Sequence, residues 1–230
     1  MNSLPRVELA QLPTPVQGMP RLSAHLGRPP LSVKRDDLTG LAFGGNKTRK
    51  LETLCAAAQA EKADMLITAG AIQSNHCRQT AAAAALLGMD CILVLVGEPP
   101  ELASANLLLD GLFGAQICWA TKEQRDAVLQ TVFKKAQAAG HHPALIPYGG
   151  SNPLGAAAYA FALDELLHQV APPDWIVFAT SSGGTQAGLL AGAKLLNYKG
   201  HILGISVDER ASHVKPGIAR LAEDTAALLG

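Results

Sequence analysis

Short apolar runs alternate with longer alanine- and leucine-rich stretches along most of this chain, and that alternation limits it to few folds. Asp64 to Ala69, Cys91 to Val96, Ala115 to Trp119, Ala144 to Ile146, Trp175 to Ala179 and Ile202 to Val207 read as strands. Thr48 to Lys62, Asn75 to Leu87, Ala103 to Phe113, Lys122 to Ala139, Leu154 to Gln169, Gln186 to Leu196 and Pro216 to Leu229 read as helices. Continuously apolar strands have no polar side to turn to water, so the pattern predicts a parallel sheet with helices on both faces. The 230 residues, 48% hydrophobic and 17% charged, are enough for one large or two small cores of a soluble α/β protein.

The 19 basic residues balance the 19 acidic ones, which removes the electrostatic case for nucleic acid or an anionic membrane surface as a partner. The apolar run from Thr80 to Gly97 is broken by Gly88 and Asp90, and it divides better into a helix and a strand than into a membrane span. Cys55, Cys77, Cys91 and Cys118 form no C-x-x-C pair and no apolar leader opens the chain, so free, mostly buried thiols in a reducing cytoplasm are expected. His141 and His142 follow a helix end with no acidic or thiol partner at metal spacing, and no metal site is assigned.

Three loops carry the chemistry. In Gly44-Gly45-Asn46-Lys47 a lysine stands at a loop-to-helix junction, where unpaired N–H groups collect positive potential. Such a potential favours the neutral amine, the form that makes Schiff bases with carbonyl compounds. A surface lysine after a turn is an equal reading of that stretch alone. Ser182-Gly183-Gly184-Thr185 lies between an apolar strand and a helix, where glycine lets backbone amides approach a phosphate. Neither dinucleotide nor nucleoside-triphosphate spacing is present, so a single phosphate group fits better than either, and a plain tight turn is the alternative. Gln73-Ser74-Asn75-His76 opens another helix and supplies hydroxyl, amide and imidazole groups in a row, with helix capping by Ser74 or Asn75 as the plainer explanation. A reactive lysine, a polar loop and a phosphate loop together suit one small cofactor that carries an aldehyde and a phosphate, pyridoxal 5′-phosphate. Asp36 and Asp37 are expected to be structural, paired with Arg35 or Arg49.

Lys34-Arg35-Asp36-Asp37-Leu38-Thr39-Gly40, Gly44 to Glu52, Thr68 to Thr80, Pro147 to Gly155 and Gly183 to Gly188 resemble, in this order, the D-cysteine desulfhydrase and 1-aminocyclopropane-1-carboxylate deaminase family. The resemblance implies a tryptophan synthase β-like fold, fold type II among pyridoxal-phosphate enzymes. That fold has two three-layer α/β/α domains with largely parallel sheets. The larger cofactor-binding domain would comprise 1–48 and 150–230, and the smaller α/β domain 49–149. By the same resemblance Lys47 would carry the cofactor and act as base. Lys50, Ser182, Gly183, Gly184 and Thr185 would hold its phosphate, and Asn75 would bond its phenolic oxygen. Gln73, Ser74, Asn75 and His76 would meet the substrate, with Ser74 closest to the chemistry.

The implied reaction is α,β-elimination on a small amino acid, foremost D-cysteine to hydrogen sulfide, ammonia and pyruvate, by a cytoplasmic homodimer. L-Cysteate sulfo-lyase and 1-aminocyclopropane-1-carboxylate deaminase activities share these motifs. Relatives continue into a Gly-Tyr-Gly loop and a Thr-Gly-Gly segment with no counterpart here. The loop between Val96 and Leu107 is also short. The expectation is therefore a fragment or truncated form whose larger domain is incomplete, which binds the cofactor weakly, or a non-catalytic remnant. Threonine dehydratase or cysteine synthase activity fits the Gln73–His76 loop less well.

Overall fold

In a computed structural model, which describes residues 1–27 and 29–230, the apolar runs pair as parallel strands. The elements are β1 (Val16–Gly18), α1 (Pro20–Leu26), β2 (Ser32–Lys34), α2 (Asn46–Ala60), β3 (Met65–Ala71), α3 (Asn75–Leu87), β4 (Asp90–Val96), α4 (Ala105–Leu112), β5 (Gln116–Ala120), α5 (Arg125–Ala138), β6 (Pro143–Leu145), α6 (Pro153–Gln169), β7 (Trp175–Thr180), α7 (Gly184–Leu195), β8 (His201–Ser206) and α8 (Ala211–Leu229).

The four-stranded sheet has the order β5-β4-β3-β6, all parallel, with Ile67 opposite Ile92 on one side and Leu145 on the other. Its central strands are buried on both faces, which is why β3 and β4 read as unbroken apolar runs. Leu66, Leu93 and Leu95 pack with Leu51, Leu54, Cys55, Cys77 and Ala81 from α2 and α3, while Met65, Ile67 and Ile92 meet Ala136, Leu129 and Phe133 of α5. Each such aliphatic side chain contributes about 1.5–3 kcal/mol by leaving water.

β7 and β8 form a separate two-stranded parallel sheet. One face, with Ile176, Phe178 and Ile202, packs on Tyr159, Leu163 and Leu189 of α6 and α7. The other face, with Trp175, Val177, Leu203 and Ile205, is exposed. This part of the chain thus has two layers where three were expected, because α6, α7 and α8 pack with one another on the covered side. Three further elements, β1, α1 and β2, have no counterpart in the sequence pattern. Their segments are short and their strands pair antiparallel, with Val16 opposite Lys34.

Several boundaries differ from the expected ones. α2 begins at Asn46, so Lys47 is inside its first turn rather than before the helix. α7 begins at Gly184 rather than Gln186, because Gly183 takes φ +81 and turns the chain directly into the helix. α8 begins at Ala211 and carries Pro216 inside it, where proline suggests a start. No described helix is long and apolar enough to cross a membrane.

Candidate functional site

The loop before α2 is built by backbone that side chains rarely tolerate. Gly44 stands at φ +66 and Gly45 at φ +127, and a Cβ on Gly44 would lie 2.1 Å from the Asp37 carbonyl oxygen. Gly45 N donates to Asp36 O (2.9 Å) and to Thr39 Oγ1 (2.9 Å), which folds the Arg35–Gly40 segment under the lysine turn. The first turns of α3 hold the same loop from the other side. Gln79 Nε2 (2.8 Å) and Arg78 Nη2 (3.1 Å) donate to Gly44 O, and Thr48 Oγ1 donates to Gln79 Oε1 (2.7 Å).

Lys47 and Lys50 lie one turn apart on α2. Burial lowers the pKa of Lys47, whose Nζ donates to Asn46 Oδ1 (3.2 Å). Lys50 is buried, and burial followed by the charge of Lys47 holds its pKa well below the usual lysine range. Its Nζ donates to Gly149 O at 3.1 Å. Among the described residues no carboxylate pairs with either amine. The neutral amine expected from a helix-end potential is therefore favoured first by burial, with like charge acting on Lys50.

The Ser182–Thr185 turn comes to the same place. Asn46 Nδ2 donates to Thr185 Oγ1 (3.0 Å), joining the lysine loop to the start of α7. A Cβ on Gly184 would lie 2.8 Å from Lys50 Nζ and 2.5 Å from Ser151 Oγ, so glycine there keeps the main chain close to the amine. Ser151 lies outside the residues the sequence singles out, yet its Oγ accepts from Gly184 N (3.1 Å) and bonds Ser182 Oγ (2.8 Å). The signal for it is Gly149-Gly150-Ser151, a second glycine-and-hydroxyl turn after a strand.

Ser74 is the N-cap of α3, its Oγ accepting from His76 N and Cys77 N at 3.2 Å each. Asn75 is exposed at the loop surface. Gln73, expected to face a ligand, has both ends of its carboxamide on the 104–106 segment: Nε2 donates to Ser104 O (3.2 Å) and Oε1 accepts from Asn106 N (2.8 Å). His76 turns inward, 3% exposed, with Nε2 3.0 Å from Thr68 Oγ1. Burial, then the charges of Lys47 and Lys50, push its pKa down to about 3 and keep the imidazole neutral.

These features fit a phosphate-bearing aldehyde. Lys50 is buried and Lys47 partly buried, neither paired with a carboxylate among the described residues, hydroxyls of Ser151, Ser182 and Thr185 gather at the turn beside Lys50, and α7 begins there. Among the described residues no group of His, Cys, Asp and Glu side chains could hold a metal ion.

Around the site, Arg49 anchors three segments. It donates to Asp36 (2.9–3.1 Å), Glu165 (2.9 and 3.0 Å) and Thr14 Oγ1 (2.9 Å), and Tyr159 Oη donates to Asp36 Oδ2 (2.6 Å). Asp36 therefore pairs with Arg49 and Asp37 with Arg35, as the sequence suggested.

Comparison with known proteins gives concordant matches. A profile of the family described as "Pyridoxal-phosphate dependent enzyme" matches residues 7–226. D-Cysteine desulfhydrase of Salmonella typhi is 44% identical over 239 aligned positions, covering 100% of this chain and 72% of the relative. The crystal structure of an ACC deaminase homologue superposes with a TM-score of 0.92 at 39% identity, over 99% of this chain and 70% of that one. The crystal structure of a threonine deaminase from T.th. has a TM-score of 0.71 at 23% identity, over 89% and 63%, a likeness of fold alone.

Proposed function

Because the chain belongs to the pyridoxal-phosphate dependent enzyme family, with the type II fold, we propose that it catalyses α,β-elimination on a small amino acid, foremost D-cysteine. The observation that carries this reading is the convergence of the buried Lys50 and the partly buried Lys47, two amines without a carboxylate partner among the described residues, on the Ser182–Thr185 turn. The similarity to D-cysteine desulfhydrase supports the choice of substrate.

In this reading Lys50, Gly183, Gly184 and the hydroxyls of Ser182 and Thr185 hold the phosphate of pyridoxal 5′-phosphate, and Ser151 fixes the turn. Lys50, whose ammonium burial disfavours, would regain its charge against a phosphate dianion held there. The cofactor, when bound, supplies a carbonyl carbon for an amine and an electron sink for the substrate's α-carbon. Lys47 would be the amine that holds the cofactor and, once freed by the substrate's own amine, would serve as the base for the α-proton, a role its depressed pKa suits. Asn75 Nδ2 would donate to the ring's phenolic oxygen. Ser74 Oγ–H donates to the substrate carboxylate while its lone pairs stay on the α3 cap. Gln73 and His76 brace the loop. With D-cysteine the thiol leaves as hydrogen sulfide, and water completes the release of ammonia and pyruvate.

The sheets support a division into a smaller domain of 49–149, which contains β3 to β6, and a larger one of 1–48 and 150–230. The likeness to an ACC deaminase homologue favours 1-aminocyclopropane-1-carboxylate as the competing substrate. The test is pyruvate or 2-oxobutyrate release from D-cysteine, L-cysteate and 1-aminocyclopropane-1-carboxylate after loading with pyridoxal 5′-phosphate. Pyruvate from D-cysteine, absent in Lys47→Ala, is the expected result. A folded, loaded chain that releases product from none of the three refutes the reading.

A further inference from the structure

Asn106, at the start of α4, lies far in sequence from the candidate residues, yet it binds two of them. Its Nδ2 donates to Gln73 O (2.8 Å) and to Asn75 Oδ1 (3.0 Å), and its backbone N donates to Gln73 Oε1 (2.8 Å). Arg78 closes the set, with Nη1 donating to Asn106 Oδ1 (2.7 Å) and to Asn75 Oδ1 (2.8 Å).

Arginine has donors only, so an atom bonded to Arg78 Nη1 must be an acceptor. That condition fixes both carboxamides. Asn106 must turn its oxygen to Arg78 and its nitrogen to Asn75, and Asn75 must turn its oxygen to both. Asn75 Nδ2 is thereby aimed away from this cluster, and it has no hydrogen-bond partner among the described residues. Backbone strain marks the same junctions. Ala105, next to Asn106, is held at φ +46, and Phe43, next to the Gly44 carbonyl that Arg78 also binds, at φ +65. Non-glycine residues in that region cost about 1–3 kcal/mol and persist where the surroundings over-determine them.

We propose that Asn106 and Arg78 are positioning residues that lock the Asn75 carboxamide with its nitrogen presented to the ring oxygen of the bound cofactor. This rests on the reading of Asn75 given above. Asn106 touches neither cofactor nor substrate in it. A hydrogen bond from Asn75 Nδ2 favours the deprotonated ring oxygen, so the lock tunes the pH at which the bound cofactor changes its absorbance.

The discriminating variant is Asn106→Asp. It keeps the shape and the Arg78 contact but puts a carboxylate oxygen against Asn75 Oδ1, so Asn75 must turn or swing away. The full chain loaded with pyridoxal 5′-phosphate is titrated by absorbance across pH, with Asn75→Ala and Asn106→Ala beside it. Asn106→Asp and Asn75→Ala are each expected to raise the midpoint by about one pH unit or more, and Asn106→Ala by less. In the unliganded chain, the Asn75 side-chain amide resonances should move in both Asn106 variants. Unchanged midpoints in the Asn106 variants, with a raised midpoint in Asn75→Ala, overturn the lock and leave the site reading intact. An unchanged midpoint in Asn75→Ala overturns both. Unmoved Asn75 amide resonances overturn the lock without reference to the cofactor.

Discussion

Arg49 and Lys50 are consecutive residues on α2, both almost inaccessible to water, with opposite electrostatic surroundings. Arg49 faces the N-terminal segment and α6, where Asp36 and Glu165 receive its whole fork and Lys34 also pairs with Glu165. Burial disfavours the Arg49 charge, but bonds to Glu165 and the charge of Asp36 more than offset it and raise its pKa. Glu165 shows the same contest: burial raises its pKa, while Arg49 and Lys34 outweigh burial and lower it. On the neighbouring face, Lys50 and Lys47 meet carbonyl oxygen, amide and hydroxyl groups, and no carboxylate among the described residues. A buried cation with all its partners holds segments together. A buried amine without them is held towards its neutral form by desolvation, and an incoming anion can restore its charge.

Breaking the paired side should have the largest effect on stability. Arg49→Met takes the cation partner from the partly buried Asp36 and leaves Glu165 with Lys34 alone, and it is expected to cost about 3–5 kcal/mol in urea unfolding at pH 7.

Beneath the unpaired side, His76 should dominate the acid limb of stability. Its folded pKa of about 3 is below the ordinary value near 6.5, so the unfolded chain binds more protons between those values. The contribution is whole above about pH 6.5 and is lost as pH falls towards 3, by about 3 kcal/mol at pH 4. His76→Gln should flatten the decline of unfolding free energy over that window; an unchanged slope would assign the acid limb to other groups.

Lys50→Met should have the sign opposite to Arg49→Met. Without the desolvated amine the unliganded chain should gain about 1 kcal/mol, while affinity for pyridoxal 5′-phosphate falls about tenfold or more. Destabilisation by several kcal/mol would mean that Lys50 is a structural cation like its neighbour.

The smallest effect is expected from Thr185→Val, which removes the bond from Asn46. A loss of about 0.5–1.5 kcal/mol, or two- to tenfold in cofactor affinity by absorbance titration, is the expected outcome.

Much of this arrangement was legible in local sequence. The bounds of α3 follow from Ser74 as cap and Gly88 at φ +69 as terminator, both short-range features. Lys47 and Ser182–Thr185 stood out because glycine-rich turns at strand and helix ends let backbone amides and an amine approach a phosphate-bearing ligand, a reading that gained weight when the motifs were taken together. Ser151, Asn106 and the inward turn of His76 did not, because each is defined by a partner 8 to 33 residues away. The helix layer on one face of β7 and β8 was equally hidden, since an apolar strand reads alike whether one face or both are covered.

The sequence by itself determined the parallel α/β class, the family and the two glycine-rich loops that meet at Lys50, because periodicity, glycine placement and motif order are properties of short segments. Only the tertiary structure decided which of the buried cations on α2 are paired and which way the Asn75 carboxamide faces. Both depend on groups brought together across the fold, and electrostatic pairing acts on distance in space rather than along the chain.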